Sequence, residues 1–297
     1  MPPTPIAASP FRCALDVKAS LGECPLWSAA EQALYWVDIN APSLNRFDPA
    51  TGGNTTMPMP ESIGCFALRR DGGFIVALRG GFWLARPDGV LERKVADAPY
   101  DPSHHRFNDG RCDASGRLLA GTMNEKHDAN SAALYRLDAD FTLTRVLGGM
   151  TISNGLAFSP DGRTMYHADT PTRVIHGYDY DQGRGTPSNA RVVARFTAEG
   201  DRPDGAAVDR DGCYWIAFYG GGKVGRIAPD GRILDEFPVP AMCPTMCAFG
   251  GPDLKTLYVT SARQMRDSGE LLRLPLSGGV FAMAADVPGL PEPAFAG

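Results

Sequence analysis

A short pattern that recurs six times along the chain restricts its possible folds more than any other feature. Each copy runs from a small or polar residue through an apolar stretch to a turn, most often Asp-Gly. The copies are Glu23–Glu31, Gly64–Gly72, Asn108–Gly116, Asn154–Gly162, Asp204–Gly212 and Thr245–Leu254, the last with one inserted residue. Their turns lie 41, 44, 46, 50 and 42 residues apart. Periods of about 40–50 residues with several strands each are typical of propeller blades.

A second and a third strand follow each copy. The second strands are rich in β-branched and aromatic residues, as in Leu34–Ile39 and Tyr214–Phe218, and the last third strand is predicted at Leu271–Leu274. An open sheet of six such units would expose its edges, and radial closure removes them. Arg12–Val17 is expected to pair with the last unit and close the ring. A β-sandwich also has regular strand spacing, but it does not predict six copies at one period.

The sequence therefore predicts an all-β fold, a six-bladed β-propeller with four-stranded antiparallel blades. A single domain would span residues 1–297, and residues 1–12 are expected to form a loose N-terminal arm. The chain has 43% hydrophobic and 21% charged residues, which is ordinary for a globular domain.

Charge and hydropathy exclude several classes of partner. The net charge of -5, without a basic run, argues against nucleic acid. No stretch approaches the ~18 apolar residues of a membrane span, and the start of the chain lacks the features of a signal peptide. The seven cysteines are scattered and odd in number, which favours free thiols. We therefore expect a cytoplasmic monomer that binds neither membrane nor nucleic acid.

The repeat also predicts a site, because the first strand of each propeller blade lines the central channel. The residues at the start of these strands would meet in a ring, and they are Glu23, Gly64, Asn108, Asn154, Asp204 and Thr245. Asn and Asp also favour turns, which explains such residues one at a time. The convergence of Glu23, Asn154 and Asp204 instead predicts a divalent metal site. Hard oxygen ligands suit Ca²⁺, Mg²⁺ or Mn²⁺, and three protein ligands leave positions open for water and substrate.

Several short motifs resemble the gluconolactonase family, which includes regucalcin (senescence marker protein). The likeness runs in order from about Leu21 to Phe281. Its motifs are Leu21–Trp27, Arg106–Gly110, Ala120–Met123, Ile152–Gly155, Arg202–Gly205, Phe249–Leu254 and Tyr258–Arg263. The resemblance implies a six-bladed propeller that hydrolyses sugar lactones with one divalent metal ion.

The resemblance also implies roles for individual residues. Glu23, Asn154 and Asp204 match the family's metal ligands, and Arg106 and Asn108 match residues that contact the substrate. Glu125 takes the place of an acidic residue that binds sugar hydroxyls. The identity of the metal stays open among Ca²⁺, Mg²⁺, Mn²⁺, Zn²⁺ and Fe(II).

Two positions depart from the family's pattern. Cys24 stands where relatives usually have Gly, and Lys126 follows Glu125 where relatives often have acidic residues. The second departure leaves the register and the sugar preference open.

These residues support a hypothesis for the reaction. The metal would polarise the lactone carbonyl and activate water, and Asp204 would be the catalytic base that accepts the water's proton. Two alternatives stay open. One is a metal-dependent esterase for aryl esters or organophosphates, and the other is a non-enzymatic calcium-binding propeller. Arg106, Asn108 and Glu125 favour a hydroxylated substrate.

Four further polar residues are given no role in the reaction. Asp109 is predicted to cap a turn, and His167 is predicted to pack within a strand. His104 and His105 are expected to be solvated loop residues.

Overall fold

The computed structural model describes residues 9–297, which form six four-stranded antiparallel sheets arranged as the blades of a propeller. The predicted fold class is confirmed. In each blade the strands pair in sequence order from the first strand outward, apart from the last blade, whose outer strand comes from the start of the chain. No helix in this part of the chain is long and apolar enough to cross a membrane, and all seven cysteines are free.

The strands are numbered in chain order, and β1 (Arg12–Leu15) is the outer strand of blade 6. Blade 1 contains β2 (Gly22–Ser28), β3 (Ala33–Asp38), β4 (Ser43–Phe47) and β5 (Asn54–Pro58). Blade 2 contains β6 (Ile63–Leu68), β7 (Phe74–Leu78), β8 (Gly81–Ala85) and β9 (Leu91–Asp97). Blade 3 contains β10 (His105–Cys112), β11 (Leu118–Asn124), β12 (Ala132–Leu137) and β13 (Leu143–Met150).

Blade 4 contains β14 (Ser153–Phe158), β15 (Thr164–Asp169), β16 (Val174–Asp181) and β17 (Thr186–Arg195), with the short 3₁₀ helix Thr170–Thr172 between β15 and β16. Blade 5 contains β18 (Arg202–Val208), β19 (Tyr214–Tyr219), β20 (Lys223–Ile227) and β21 (Ile233–Pro238). Blade 6 contains β22 (Cys243–Gly250), β23 (Thr256–Ala262) and β24 (Val280–Ala284), with the helix α1 (Ser268–Arg273) between β23 and β24.

Pairing of β1 with β24 closes the ring, as the sequence predicts. Arg12 lies opposite Ala282, and Cys13 lies opposite Phe281. The loose arm predicted for residues 1–12 is wrong for its last four residues. The Ser9 hydroxyl donates a 2.6 Å hydrogen bond to the carbonyl of Pro238, and Phe11 is buried. The rest of that prediction, residues 1–8, lies outside the described residues.

The predicted third strand of blade 6 is also wrong, because Leu271–Leu274 overlaps α1. The carboxylate of Asp267 accepts a hydrogen bond from the backbone N–H of Glu270 and so caps the helix. The third strand is β24, further along the chain. A short apolar run does not distinguish helix from strand by its pattern alone, and here the capping residue decides.

Aromatic side chains pack neighbouring blades against each other. Tyr35 of β3 contacts the edges of Phe66 and Phe74 in blade 2, with ring centroids 6.4 and 5.2 Å apart. Trp215 of β19 contacts Phe249 of blade 6 at 5.7 Å. Aromatic residues of the second strands therefore pack neighbouring blades against each other.

The first strand of every blade has a register irregularity at the same place. The shifts fall between Glu23 and Leu26, Ile63 and Cys65, Phe107 and Gly110, Asn154 and Ala157, Pro203 and Ala206, and Pro244 and Cys247. A β-bulge bends its strand and redirects a side chain. All six positions of the predicted ring lie at or within these bulges, at the same end of the channel.

The C-terminal segment crosses the other end of the channel. Its backbone bonds successively to the turns of several blades, through Pro288 to Arg210, Gly289 to Leu254, and Phe295 to both Leu68 and Arg70. Glu292 forms an ion pair with Arg111 inside the channel. The segment therefore holds blades 2, 3, 5 and 6 together at the end opposite the ring.

We predict that Phe295→Ala lowers the free energy of unfolding by about 3–5 kcal/mol, since Phe295 is fully buried and packs 6.3 Å from the ring of Phe141. Chemical denaturation would measure the loss. Leu272→Ala is the control, because Leu272 is 82% exposed, and its effect should stay within about 0.5 kcal/mol. Equal losses in the two variants would contradict the anchoring role of Phe295.

Candidate functional site

Two carboxylates face the channel without protein partners to balance them. Glu23 in β2 and Asp204 in β18 are largely buried, and among residues 9–297 no side chain donates a hydrogen bond to either carboxylate. Burial and then the negative charges of Asp204 and Asp109 raise the pKa of Glu23 well above its ordinary value. Burial and the charge of Asp109 do the same to the pKa of Asp204. The site therefore brings together buried acids that repel each other, and the positive charge of Arg106 offsets this repulsion only in part.

Asn154 in β14 is held in one orientation by its neighbours. Its amide Nδ2 donates a 2.8 Å hydrogen bond to the hydroxyl of Thr170, which in turn donates to the carbonyl of Pro203. Its Oδ1 accepts a 2.8 Å hydrogen bond from Nδ2 of Asn108. Because an amide oxygen has two lone pairs, Oδ1 keeps one of them for another ligand.

These three side chains fit a divalent cation. Two carboxylates and an amide oxygen form a hard donor set, and a cation would relieve the repulsion that raises the pKa of both acids. In the described part of the chain, no group of three or more His, Cys, Asp or Glu side chains is arranged to bind a metal ion. The predicted set, Glu23, Asp204 and the neutral Asn154, contains only two such side chains and stays a prediction.

A chain of hydrogen bonds joins the predicted substrate residues to this set. Arg106 is 8% exposed, and its Nη1 donates 2.8 Å bonds to Oδ1 of Asn108 and to the carbonyl of Phe107. Its Nε lies 3.7 Å from Oε1 of Glu125. Since Asn108 also bonds Asn154, the structure brings Glu125, Arg106 and Asn108 together with the candidate metal ligands.

Arg79 is a residue of the site that sequence reasoning missed. It follows β7 directly, and its two Nη groups donate to the two carboxylate oxygens of Glu125 at 2.7 and 2.8 Å. The Arg79 guanidinium lowers the pKa of Glu125. The only sequence signal was its position at the end of a second strand, on the same side of the propeller as the ring. The Nζ of Lys126 lies apart from this pair, 3.3 Å from Nε2 of His104.

Asp109 does not cap a turn, contrary to the prediction. It lies inside β10, where its Oδ2 accepts a 2.7 Å hydrogen bond from the backbone N–H of Leu156 in blade 4. Its Oδ1 is buried without a hydrogen-bond partner in residues 9–297, and burial raises its pKa to about 6. The bulge between Phe107 and Gly110 explains the difference, because it turns a residue of an apparent turn motif into the channel.

Cys24 has a left-handed backbone conformation, with φ of 47°, directly after Glu23. Gly155 occupies the equivalent position after Asn154, with φ of 64°. Glycine adopts this conformation without strain, which gives a physical reason for the glycine that the family resemblance implies at position 24. Cys24 therefore holds local strain beside a candidate metal ligand.

The structure agrees with the interpretation of His167 and His104 but differs from that of His105. His167 is buried against the hydroxyl of Ser153 at 2.7 Å, and burial lowers its pKa to about 3, which confirms a neutral packing residue. His104 is exposed as predicted. His105 is not simply solvated, because its Nε2 lies 2.8 Å from the hydroxyl of Ser131 and its Nδ1 is buried.

Known proteins are similar to this chain in sequence and in fold. A family model described as SMP-30/Gluconolactonase/LRE-like region matches residues 21–263. A 6-deoxy-6-sulfogluconolactonase from Pseudomonas putida is 49% identical over 97% of this chain and 99% of that protein. Regucalcin from Xenopus laevis is 34% identical over 97% of this chain and 98% of its own length. The solved structure of a calcium-binding protein, regucalcin from Agrobacterium tumefaciens, covers 97% of both chains with 31% identity and a TM-score of 0.92.

The raised pKa of Asp109 predicts a pH dependence of stability in the metal-free protein. Between about pH 4 and pH 6 the folded state keeps a proton on Asp109 that the unfolded state has released, so stability falls as the pH rises. Relative to Asp109→Asn, the wild type should lose about 2–3 kcal/mol across this interval. Urea denaturation in EDTA at several pH values would measure the difference. Parallel profiles for the two proteins would contradict the assignment.

Proposed function

The chain belongs to the SMP-30/gluconolactonase/LRE-like family and is a sugar lactone lactonase, and we propose that it opens an aldonolactone to the aldonic acid with one divalent cation. The observation that carries the metal part of this proposal is the pair of mutually repelling buried acids, Glu23 and Asp204, in the same ring as Asn154, whose amide oxygen bonds the predicted substrate residue Asn108. Because the relative from Pseudomonas putida is a 6-deoxy-6-sulfogluconolactonase, substituted gluconolactones are the first substrates to test.

Glu23, Asn154 and Asp204 would hold the cation. When bound, it would supply the Lewis acidity that polarises the lactone carbonyl and lowers the pKa of a nearby water. The fixed amide of Asn154 supports this role, since its hydrogen bonds to Asn108 and Thr170 leave little freedom to turn the oxygen away.

Asp204 is the proposed catalytic base. Nearby positive charge would keep its carboxylate ionised despite the burial that raises its pKa in the metal-free protein. A carboxylate has two oxygens, so one can accept the proton of the attacking water while the other is a ligand. The proton would then pass to the alkoxide that leaves when the ring opens.

Arg106 and Glu125 are proposed to bind the sugar. Arg106 uses Nη1 for its two protein hydrogen bonds, and Nη2 has no acceptor in residues 9–297, so it can donate to a lactone oxygen. Glu125 has a side chain that is 35% exposed, with oxygens that can accept hydrogen bonds from sugar hydroxyls. Together with Asn108 these groups favour a hydroxylated lactone over an apolar aryl ester.

We predict that EDTA abolishes lactone hydrolysis and that added divalent metal restores it. Asp204→Asn and Glu23→Gln should each lower kcat/KM by about 100-fold or more, because each removes a charge from the metal set and Asp204→Asn also removes the base. Acid release from a panel of lactones would measure activity, and calorimetry would measure metal binding. Asp161→Asn, in an exposed turn, is the control and should keep full activity.

Three outcomes would contradict parts of this proposal. Hydrolysis that is insensitive to chelator would contradict the metal dependence, and substantial turnover by metal-loaded Asp204→Asn would remove Asp204 as base. Metal binding without hydrolysis of any lactone or ester would favour the calcium-binding alternative. A strong preference for aryl esters or organophosphates would favour the other esterase class.

Arg79 should act as a positioning residue for Glu125. Arg79→Met removes both hydrogen bonds to that carboxylate, so KM for the lactone should rise about fivefold with a smaller change in kcat. Glu125→Gln combined with Arg79→Met should cost less than the sum of the two single effects. Steady-state kinetics would measure both, and additive effects would contradict the coupling. Arg79→Lys should recover part of the loss.

A further inference from the structure

A polar pocket lies beside blades 4 to 6, at the end of the propeller that carries the candidate metal ligands. Its volume is about 430 Å³. Its charged residues are Arg173, Glu199, Arg202, Arg266 and Glu270. The Arg106–Glu125 network lies on blade 3, so this pocket is a separate feature of the channel mouth.

The three guanidinium groups of this pocket keep donors that the protein does not use. Arg202 bonds the carbonyl of Tyr219 through Nε alone, and its guanidinium stacks 5.3 Å from the Tyr219 ring. Arg266 contacts Glu270 through Nε at 3.0 Å and the sulfur of Cys243 through Nη1. The one hydrogen bond of the Arg173 side chain, to the carbonyl of Thr197, is 3.4 Å long. In the described residues, the remaining Nη groups have no protein acceptor.

The pocket has excess positive charge and a fixed shape. Three arginines face two carboxylates, and one of these, Glu270, is already paired with Arg266. Stacking on Tyr219 restricts Arg202, and the buried Glu270 restricts Arg266. Arginine donors arranged in this way suit the oxygens of a tetrahedral anion, to which they form charge-assisted hydrogen bonds.

The pocket adjoins the candidate metal set directly. Arg202 is two residues before Asp204 in β18, and the residue between them, Pro203, accepts the hydrogen bond from Thr170. Thr170 also holds the amide of Asn154. A ligand that reaches the carboxylate of Asp204 therefore comes close to Arg202, one of the three arginines that line the pocket.

We propose that Arg173, Arg202 and Arg266 form a subsite for a tetrahedral anionic group, a sulfonate or a phosphate, carried by the sugar lactone. This inference rests on the proposed lactonase function and assigns a substrate class to the same site. An anionic substituent would accept hydrogen bonds from the unused guanidinium donors. With a neutral lactone bound, those donors would bond water instead.

Other cations at the channel mouth fit this role less well. The charge of Arg79 is balanced by its two hydrogen bonds to Glu125. Lys126 is exposed, and its ammonium contacts His104. An exposed lysine gives a mobile point charge without the fixed fork of an arginine.

The test compares gluconolactone, 6-deoxy-6-sulfogluconolactone and 6-phosphogluconolactone as substrates. We expect the wild type to prefer an anionic lactone, and the comparison of the two anions identifies sulfonate or phosphate as the preferred group. Arg173→Met, Arg202→Met and Arg266→Met should each lower the ratio of anionic to neutral kcat/KM by about tenfold, mainly through KM for the anionic substrate. Arg202→Lys should lower it less. Arg145→Met, on the exposed outer strand β13, is the matched control and should leave the ratio unchanged.

Binding of the products provides a measurement that does not depend on turnover. Calorimetry with 6-deoxy-6-sulfogluconate, 6-phosphogluconate and gluconate should show tighter binding of an anion-substituted acid to the wild type, and the arginine variants should lose this difference. Thermal unfolding would verify that each variant is folded.

The outcomes separate the inference from the proposed function. A wild type that hydrolyses no lactone would contradict the proposed function, while calorimetry would still decide for or against the subsite. An equal fall in kcat/KM for neutral and anionic lactones would overturn the subsite, because it indicates structural support alone. An unchanged ratio in all three arginine variants, or a ratio that falls only in Lys126→Met, would overturn it as well.

Discussion

Closure of the ring through β1 and β24 is the constraint on which the rest of the structure depends. Each blade is covered by its two neighbours, and the aromatic contacts of Tyr35 and Trp215 exist because blades stand side by side around an axis. Without β1, the last blade would expose the edge of β24 and the ring would be held at that point by side-chain packing alone. The C-terminal segment reinforces closure at the opposite end of the channel by bonding to turns of several blades.

A closed ring places six first strands around one channel, and their bulges give the channel its chemistry. The bulges turn Glu23 and Asp204 toward shared space, where burial and repulsion raise the pKa of both. Asp109 adds a third buried acid whose charge acts on both of them. Charge placed in this way destabilises the metal-free protein, and such local conflicts are expected at functional sites. The same repulsion is what a bound cation would relieve.

The mouth of the channel has two different sides around this centre. On blades 2 and 3, Arg79 and Arg106 both lie beside Glu125, and this paired network offers donors and acceptors that suit neutral hydroxyl groups. On blades 4 to 6, arginines with unused donors outnumber carboxylates. The first strands are rigid and position the reaction centre. The connections at their ends differ from blade to blade, so they can determine which sugar substituent binds.

The sequence by itself determined the six-bladed fold, the closing strand and the candidate residues of the ring, because a repeat with a fixed period constrains every copy at once. Local pattern failed where one residue decided the outcome, as at α1, where the cap Asp267 favours a helix over the predicted strand. Asp109 looked like a turn residue until the bulge in β10 placed it in the channel. Arg79 and the arginine pocket came only from the tertiary structure, since their partners lie on different blades and distant charges meet only after the ring has closed.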